Sequence, residues 1–307
     1  MLHLRRLAAR RLAAGTPAVV VTVDLALGSA PREAGTRMLV DAEGVHGTIG
    51  GGHLELKAIA EAKAMLREAQ AGAASPASTL PRTRHYPLGP ALGQCCGGAV
   101  TLGYAPLDAA ALAAWPEPEP RFFLQLYGAG HVGRAIARAL APLDVRVDWI
   151  DERENEFPER FFEESDAPWP AHIRKVCVDA VEAEVEEAPP GAFYLVLTHR
   201  HDLDLKIAMA VLERGDFAFC GLIGSKTKRA RFRHRFEVRG IARESIERLT
   251  CPIGIEGIEG KEPEVIAAAV VAQLLLVAST LRPQRAGGHA ASTPEIAAPV
   301  REPQPDA

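Results

Sequence analysis

FFLQLYGAGHVGRAIARAL, residues 122–140, decides the fold of the second half of this chain. FFLQLY (122–127) has the composition of a buried strand, and VGRAIARAL (132–140) has helical spacing of its apolar residues. Between them, GAGHVG (128–133) has the glycine spacing of a phosphate-cradling loop, in the strand, turn and helix context that such a loop requires. Gly128 permits the tight turn, Gly130 lets a phosphate approach the backbone, and Gly133 lets the helix pack on the strand. His131 stands at the mouth of the helix, whose first N–H groups are open to an anion. The next strand-like run, VRVDWI (145–150), leads to Asp151, 18 residues after Gly133 and placed to accept hydrogen bonds from a ribose or similar diol. A glycine turn kept only for packing is the alternative reading.

Further strand-like runs, FYLVLT (193–198) and FAFCGL (217–222), alternate with helical stretches, the pattern of a parallel sheet covered by helices. The spacing predicts a Rossmann-type α/β domain over 121–282, followed by a Pro-, Ala- and Gly-rich tail (283–307) expected to be disordered. After the third strand, THRHDLD places His199, His201, Asp202 and Asp204 at a carboxyl strand end, where open α/β sheets bind ligands. Exposed histidines beside a helix-capping aspartate would give the same pattern, and the spacing matches no zinc site. After the fourth strand, Lys226, Lys228, Arg229, Arg231, Arg233, Arg235 and Arg239 stand against Glu237 alone. That charge suits a polyanionic ligand, an acidic partner or simply a solvated helix face, and Ser225, Lys226 and Lys228 are the phosphate candidates nearest the strand end. VIAAAVVAQLLLVA (265–278) is short and Ala-rich for a bilayer span and carries Gln273, so it is expected to be a buried helix.

Residues 1–108 form a smaller α+β domain by the same reasoning. MLHLRRLAARRLAAG is basic and amphipathic but lacks an uninterrupted apolar core, which favours a first helix over a targeting peptide. Strands are expected over 17–27, 36–41, 45–49 and 99–104, with a loop at 71–78. Gly50, Gly51 and Gly52 precede a helical stretch, HLELKAIAEAKAMLREAQ, and offer a second anion nest with Gly51, Gly52, His53 and Glu55 as ligands. Equally, the glycines allow a sharp reversal and Glu55 favours the helix dipole. Arg32 and Arg37 either fork an anion or brace their loop.

In GPALGQCCGG (89–98), Cys95 and Cys96 are vicinal thiols among glycines, suited to a soft metal, sulfur transfer or redox chemistry, or merely small residues in a tight loop. Cys177, Cys220 and Cys251 lie in apolar, strand-like surroundings and are expected in the core. Residues 109–120, ending in alternating Pro and Glu, are expected to be an extended linker between the domains.

A chain of 307 residues accommodates two such domains. With 48% hydrophobic and 24% charged residues it has a globular composition, and a formal net charge of -4 gives no global reason to expect nucleic acid. Five cysteines, an odd number, argue against a disulfide framework and for a reducing cytoplasm. No membrane partner is expected.

Taken in order, GSAPREAGTRMLV, GTIGGGHLE, LGPALGQCCGG, YGAGHVGRAIA, THRHDLD, GLIGSKTKRARF and CPIGI followed by GKEPEVIAAAVVAQLL resemble the XdhC/CoxI family of xanthine dehydrogenase accessory proteins. The resemblance extends over roughly residues 15–280. It implies a cytoplasmic chaperone without turnover of its own. Such a protein binds molybdenum cofactor as molybdopterin, protects it while a cysteine desulfurase supplies the sulfido ligand, and delivers it to apo xanthine dehydrogenase. Molybdenum cofactor donor proteins are further implied partners, and an exposed apolar face on the 263–280 helix would make the protein a homodimer. In that setting Cys95 or Cys96 would meet the molybdenum or its sulfur. Two other readings stay open. One is an NAD-dependent oxidoreductase, with Asp151 favouring NAD over NADP and His199 or His201 as the acid. The other is a pure interaction factor that docks an acidic partner through its cationic segment.

Overall fold

Period-two alternation in AVVVTVDLAL, β1 (Ala18–Leu27), splits its side chains between two small cores. Val19, Val21 and Val23 pack with Met38, Val40 and Leu54 on one side, while Ala18 and Val20 pack with Ala8, Leu39 and Trp115 on the other. The molecule is seen in a computed structural model that describes residues 2–71, 81–88, 98–116, 119–162 and 168–281. Around β1, the strands β2 (Arg37–Asp41), β3 (Val45–Gly47), β4 (Arg82–Pro87) and β5 (Ala99–Pro106) complete an antiparallel sheet in the order β3-β2-β1-β5-β4. The first helix, α1 (Leu2–Ala13), covers one face, and α2 (Gly52–Gln70) covers the other through Leu54, Ala58, Ala62 and Met65.

The expected linker is partly structured. Asp108 caps α3 (Ala109–Ala113) by accepting from the Ala111 N–H at 2.7 Å, and Trp115 is 1% exposed. Arg5 and Arg37 donate to the carbonyls of Trp115 and Ala114, so this segment is bound to the first sheet until residue 116. An alanine-rich run behind an aspartate cap has helical propensity that the Pro and Glu after it do not cancel.

The second half contains β6 (Phe123–Tyr127), α4 (His131–Leu140), β7 (Arg146–Asp151), β8 (Ile173–Cys177), β9 (Phe193–Val196), α5 (His201–Arg214), β10 (Phe219–Leu222), α6 (Lys226–Val238), α7 (Arg243–Glu247), β11 (Leu249–Thr250) and α8 (Pro263–Leu281). Its six strands are all parallel, in the order β11-β10-β9-β6-β7-β8. The order reverses between β6 and β9, which makes this doubly wound sheet a Rossmann-type fold with its switch point beside the glycine loop. Leu124 and Leu126 face α4 and α8, whereas Tyr127, Tyr194 and Val196 face α5 and α6.

β8 and β11 are additions to the four strands read from the sequence. β8 is an edge strand, and its IRKVC run is broken by Arg174 and Lys175. Arg174 is paired across the ladder with the buried Asp148 through two bonds of 2.9 and 2.6 Å. The same edge position leaves Cys177 exposed, which corrects its expected place in the core, while Cys220 and Cys251 are buried. α8 has the length and composition of a membrane-crossing helix. Its Ala267, Val270, Val271 and Leu274 nevertheless pack into the core beneath α4, and Gln273 exchanges two hydrogen bonds with the Gly254 backbone. The helix is therefore buried along one face only, and Leu276 on its outer side is 62% exposed.

Candidate functional site

The three fingerprint glycines fulfil different roles. A Cβ on Gly128 would sit 2.4 Å from the Leu197 carbonyl oxygen, and one on Gly133 only 2.0 Å from the Gly128 carbonyl oxygen. Both positions therefore hold β6, β9 and α4 in close contact. Around Gly130 a Cβ would meet no described heavy atom within 4 Å, so this residue fronts open space. Gly130 is also the N-cap of α4 and lends it no side-chain hydrogen bond, so the first-turn N–H groups have no intrahelical partner. His131 is exposed at that mouth. An open backbone at a bare helix N-terminus suits an anionic group.

Asp151 ends β7 as expected, but it braces the loop. Its Oδ2 accepts from the Ala129 N–H at 2.7 Å and from Arg153 Nη2 at 3.0 Å, and its Oδ1 accepts from the Arg153 N–H and Nε. Four donors match the acceptor capacity of a carboxylate, leaving none for a diol. Burial would raise the Asp151 carboxyl, yet the Arg153 guanidinium and the backbone N–H groups outweigh it and hold the group below the usual carboxylate range. Arg153 and Arg134, on the first turn of α4, share Glu156.

Two strands along, a cleft of about 270 Å3 opens at the carboxyl ends of β9 and β10, lined by Thr198, His199, His201, Asp204, Gly224 and Ser225 among others. It lies between the N-termini of α5 and α6. Asp204 is 1% exposed and gathers the site: its Oδ1 accepts from the Thr198 N–H at 2.9 Å and Thr198 Oγ1 at 2.7 Å. Its Oδ2 accepts from Lys228 Nζ at 2.6 Å, and Lys228 also donates to the Ile223 carbonyl at 2.8 Å. Lys228 thus ties the two strand-end loops together. A Cβ on Gly224 would stand 2.5 Å from Lys228 Cδ, so the glycine makes room for that stem. Ser225 caps α6 by accepting from the Lys228 N–H, and Lys226 is exposed. His199 lies 3.6 Å from Glu152, and Asp202 is paired with Arg200 at 3.1 Å on the exposed face of α5.

The fold thus brings His199, His201, Ser225 and Lys228 to one cleft and leaves Lys226 and Asp202 beside it. The sequence alone underrates Asp204 and misses Thr198, Glu152 and Arg153. The signal for Asp204 was available: it falls on the helical stripe Leu203, Ile207, Ala208 and Val211, which is the buried face of α5.

In the first half, the Gly50–Gly52 turn meets the SAPRE loop, while the flanks of the vicinal-cysteine segment, Leu88 and Gly98, are joined to each other beside the end of β1. A Cβ on Gly50 would lie 2.6 Å from Pro31 Cβ, one on Gly98 would lie 2.3 Å from the Leu27 carbonyl oxygen, and the Leu88 N–H donates to the Gly98 carbonyl at 2.7 Å. The expected anion nest is filled from within. Glu55 Oε2 accepts from Thr48 Oγ1 at 2.5 Å and from the N–H groups of Ile49 and Gly51 at 3.0 Å each. Although burial would raise the Glu55 carboxyl, Thr48 and these N–H groups hold it below its ordinary value. Gly52 and His53 are exposed beside it. Arg37 stacks over Trp115 at 5.3 Å, bracing α3, and Arg32 is exposed. Cys95 and Cys96 lie outside the described residues, as do the 283–307 tail and most of the 71–78 loop. Among the described residues no group of three or more His, Cys, Asp or Glu is arranged to hold a metal ion.

Two family models match the chain: the XdhC and CoxI family over residues 11–75 and the XdhC Rossmann domain over residues 124–274. An uncharacterized protein of Escherichia coli K12, YqeB, is 32% identical over 276 residues, which are 85% of this chain but 45% of that protein. The chain therefore spans about half the length of the curated relative it matches. The crystal structure of a protein described as a xanthine dehydrogenase from Bacillus halodurans aligns with a TM-score of 0.68 at 20% identity, over 93% of this chain and 97% of that one. At that identity the likeness concerns the fold. With both family models matched in chain order, and the second lying on the parallel sheet built around Gly128, Gly130 and Gly133, the chain belongs to the XdhC and CoxI family.

Proposed function

We propose that this protein is an accessory factor of xanthine dehydrogenase that carries molybdenum cofactor, binding its molybdopterin form at the switch point of the parallel sheet. One observation carries the reading: Gly130 fronts open space at the uncapped N-terminus of α4, while Gly128 and Gly133 are closed by backbone. The phosphate of the pterin meets the α4 N-terminus, and the polar head extends toward the β9/β10 cleft, where Thr198, His199, His201 and Ser225 offer hydrogen bonds. Lys228 acts there as a positioning residue, since Asp204 already holds its ammonium group. In the same reading Cys95 and Cys96 meet the molybdenum or its sulfido sulfur, because thiolates are soft ligands. A cysteine desulfurase supplies that sulfur, donor proteins supply the cofactor, and apo xanthine dehydrogenase receives it. The protein works in the cytoplasm as a homodimer and turns over no substrate of its own.

NAD binding is the competing reading, favoured by the strand order and the glycine spacing. The full occupation of Asp151 weighs against it, because the ribose would have to displace Arg153. The test is reconstitution: apo xanthine dehydrogenase is mixed with cofactor-loaded protein and its activity is followed. Faster activation than with free cofactor is expected. Activation at the rate of free cofactor, together with NAD binding at millimolar ligand or below, would overturn the proposal.

A further inference from the structure

We infer that α6 is the docking surface of this protein for an acidic face of its acceptor enzyme. The inference rests on the accessory reading above. α6 is anchored by the buried Phe232 and Phe236 and by Lys228, and the rest of its side chains are exposed. At about 100° per residue, Lys226, Arg229 and Arg233 line one flank and Arg231 and Arg235 the other. Thr227, Ala230, His234 and Val238 form the crest between them, with Val238 73% exposed. Arg233 pairs with Glu237 at 2.9 Å, the one ion pair made by these five flanking cations among the described residues.

This arrangement opposes helix stability. The first turn holds no acidic residue, and of its two lysines Lys228 is paired with Asp204 while the exposed Lys226 stands against the positive end of the helix dipole. Arg229 faces Arg233 and Arg231 faces Arg235 at i,i+4 spacing, where like charges repel. An external anionic surface relieves both effects. A protein face suits this helix better than a nucleic acid does: the chain carries a formal net charge of -4, and the weakly polar crest between two cationic rows matches an interface with an apolar centre and polar rim. α6 also begins at Ser225 on the lip of the β9/β10 cleft, so a partner seated on it stands over the site from which cargo would leave.

The test measures binding of the full chain to apo xanthine dehydrogenase in low and high salt, for the parent and for the double variant Arg231→Glu, Arg235→Glu. Arg10→Glu with Lys63→Glu, on α1 and α2, makes the same change in net charge elsewhere. The reversal on α6 is expected to weaken binding about tenfold or more and to flatten its salt dependence, while the control variant binds like the parent. Thermal unfolding midpoints of the α6 variant at or above the parent value would establish that its fold is intact. Parent binding that ignores both salt and the α6 reversal would overturn the docking surface and leave the accessory reading standing. No parent binding at all would overturn both, and tighter capture of poly(U) than of the enzyme would reassign the helix to nucleic acid.

Discussion

Lys228 Nζ stands 2.6 Å from Asp204 Oδ2, with the two side chains only 10% and 2% exposed, and this pair closes the loops after β9 and β10 into one unit. Replacing Lys228 with Met leaves a buried carboxylate unpaired, a change expected to cost about 3 kcal/mol. The midpoint of urea unfolding should fall accordingly, and Asp204→Asn combined with Lys228→Met should recover part of the loss. A midpoint unchanged in Lys228→Met would mean that the pair does not hold the cleft together.

Gly133→Ala and Gly130→Ala separate packing from access. The first drives a Cβ to 2.0 Å from the Gly128 carbonyl oxygen and should destabilise the domain by about 2 kcal/mol or more, read as a lower thermal midpoint. The second places a methyl group in open space, so its midpoint should stay within a few degrees of the parent. Its affinity for molybdopterin should nevertheless fall several-fold, because the methyl occupies the approach to the α4 N-terminus. Equal loss of stability in both variants would contradict the division of roles.

Acid should weaken the glycine loop through Asp151. Its carboxyl is held below the unfolded value of about 3.9, so its contribution to stability is complete above that pH and is lost as the pH falls through the lower folded value. Unfolding free energy measured against pH should therefore decline below about pH 4, and the decline should be shallower in Asp151→Asn. Parallel curves for parent and variant would rule out Asp151 as a source of the acid sensitivity.

The thiols should react in a defined order. Cys177 is exposed at the sheet edge and should be alkylated in the native protein, slowly at neutral pH because desolvation, followed by Glu154, Asp151 and Asp179, raises its pKa. Cys220 is fully buried, with its thiol pushed up to about 12, and should react only on unfolding, as should the buried Cys251. Peptide mass mapping after timed alkylation checks this order. In the same protein, Cys95→Ala or Cys96→Ala should weaken retention of sulfurated cofactor severalfold, and unchanged retention in both would remove these thiols from sulfur handling.

Much of the fold was legible where one segment carried several agreeing signals. Residues 122–140 combine an apolar run, spaced glycines and helical periodicity, and the structure builds β6, the turn and α4 from them. β8 was hidden because an edge strand carries charges that interrupt its apolar pattern, and β11 is only two residues long. Trp115 was hidden because its burial depends on Ala8 and Leu39, far away in sequence. For the candidate site, the sequence located the strand ends but not the internal pairings. That Asp151 belongs to Arg153, Glu55 to its own glycine turn and Lys228 to Asp204 depends on how loops fold back, and residue type alone does not encode it.

What the protein carries decides whether the Gly130 face holds molybdopterin. Protein purified from a host that makes molybdenum cofactor should yield, after oxidation, a fluorescent pterin derivative at close to one per chain, and Gly130→Val should reduce that yield severalfold. Parent protein free of pterin, yet binding NAD at millimolar concentration or below, would contradict the claim that the Gly130 face holds molybdopterin.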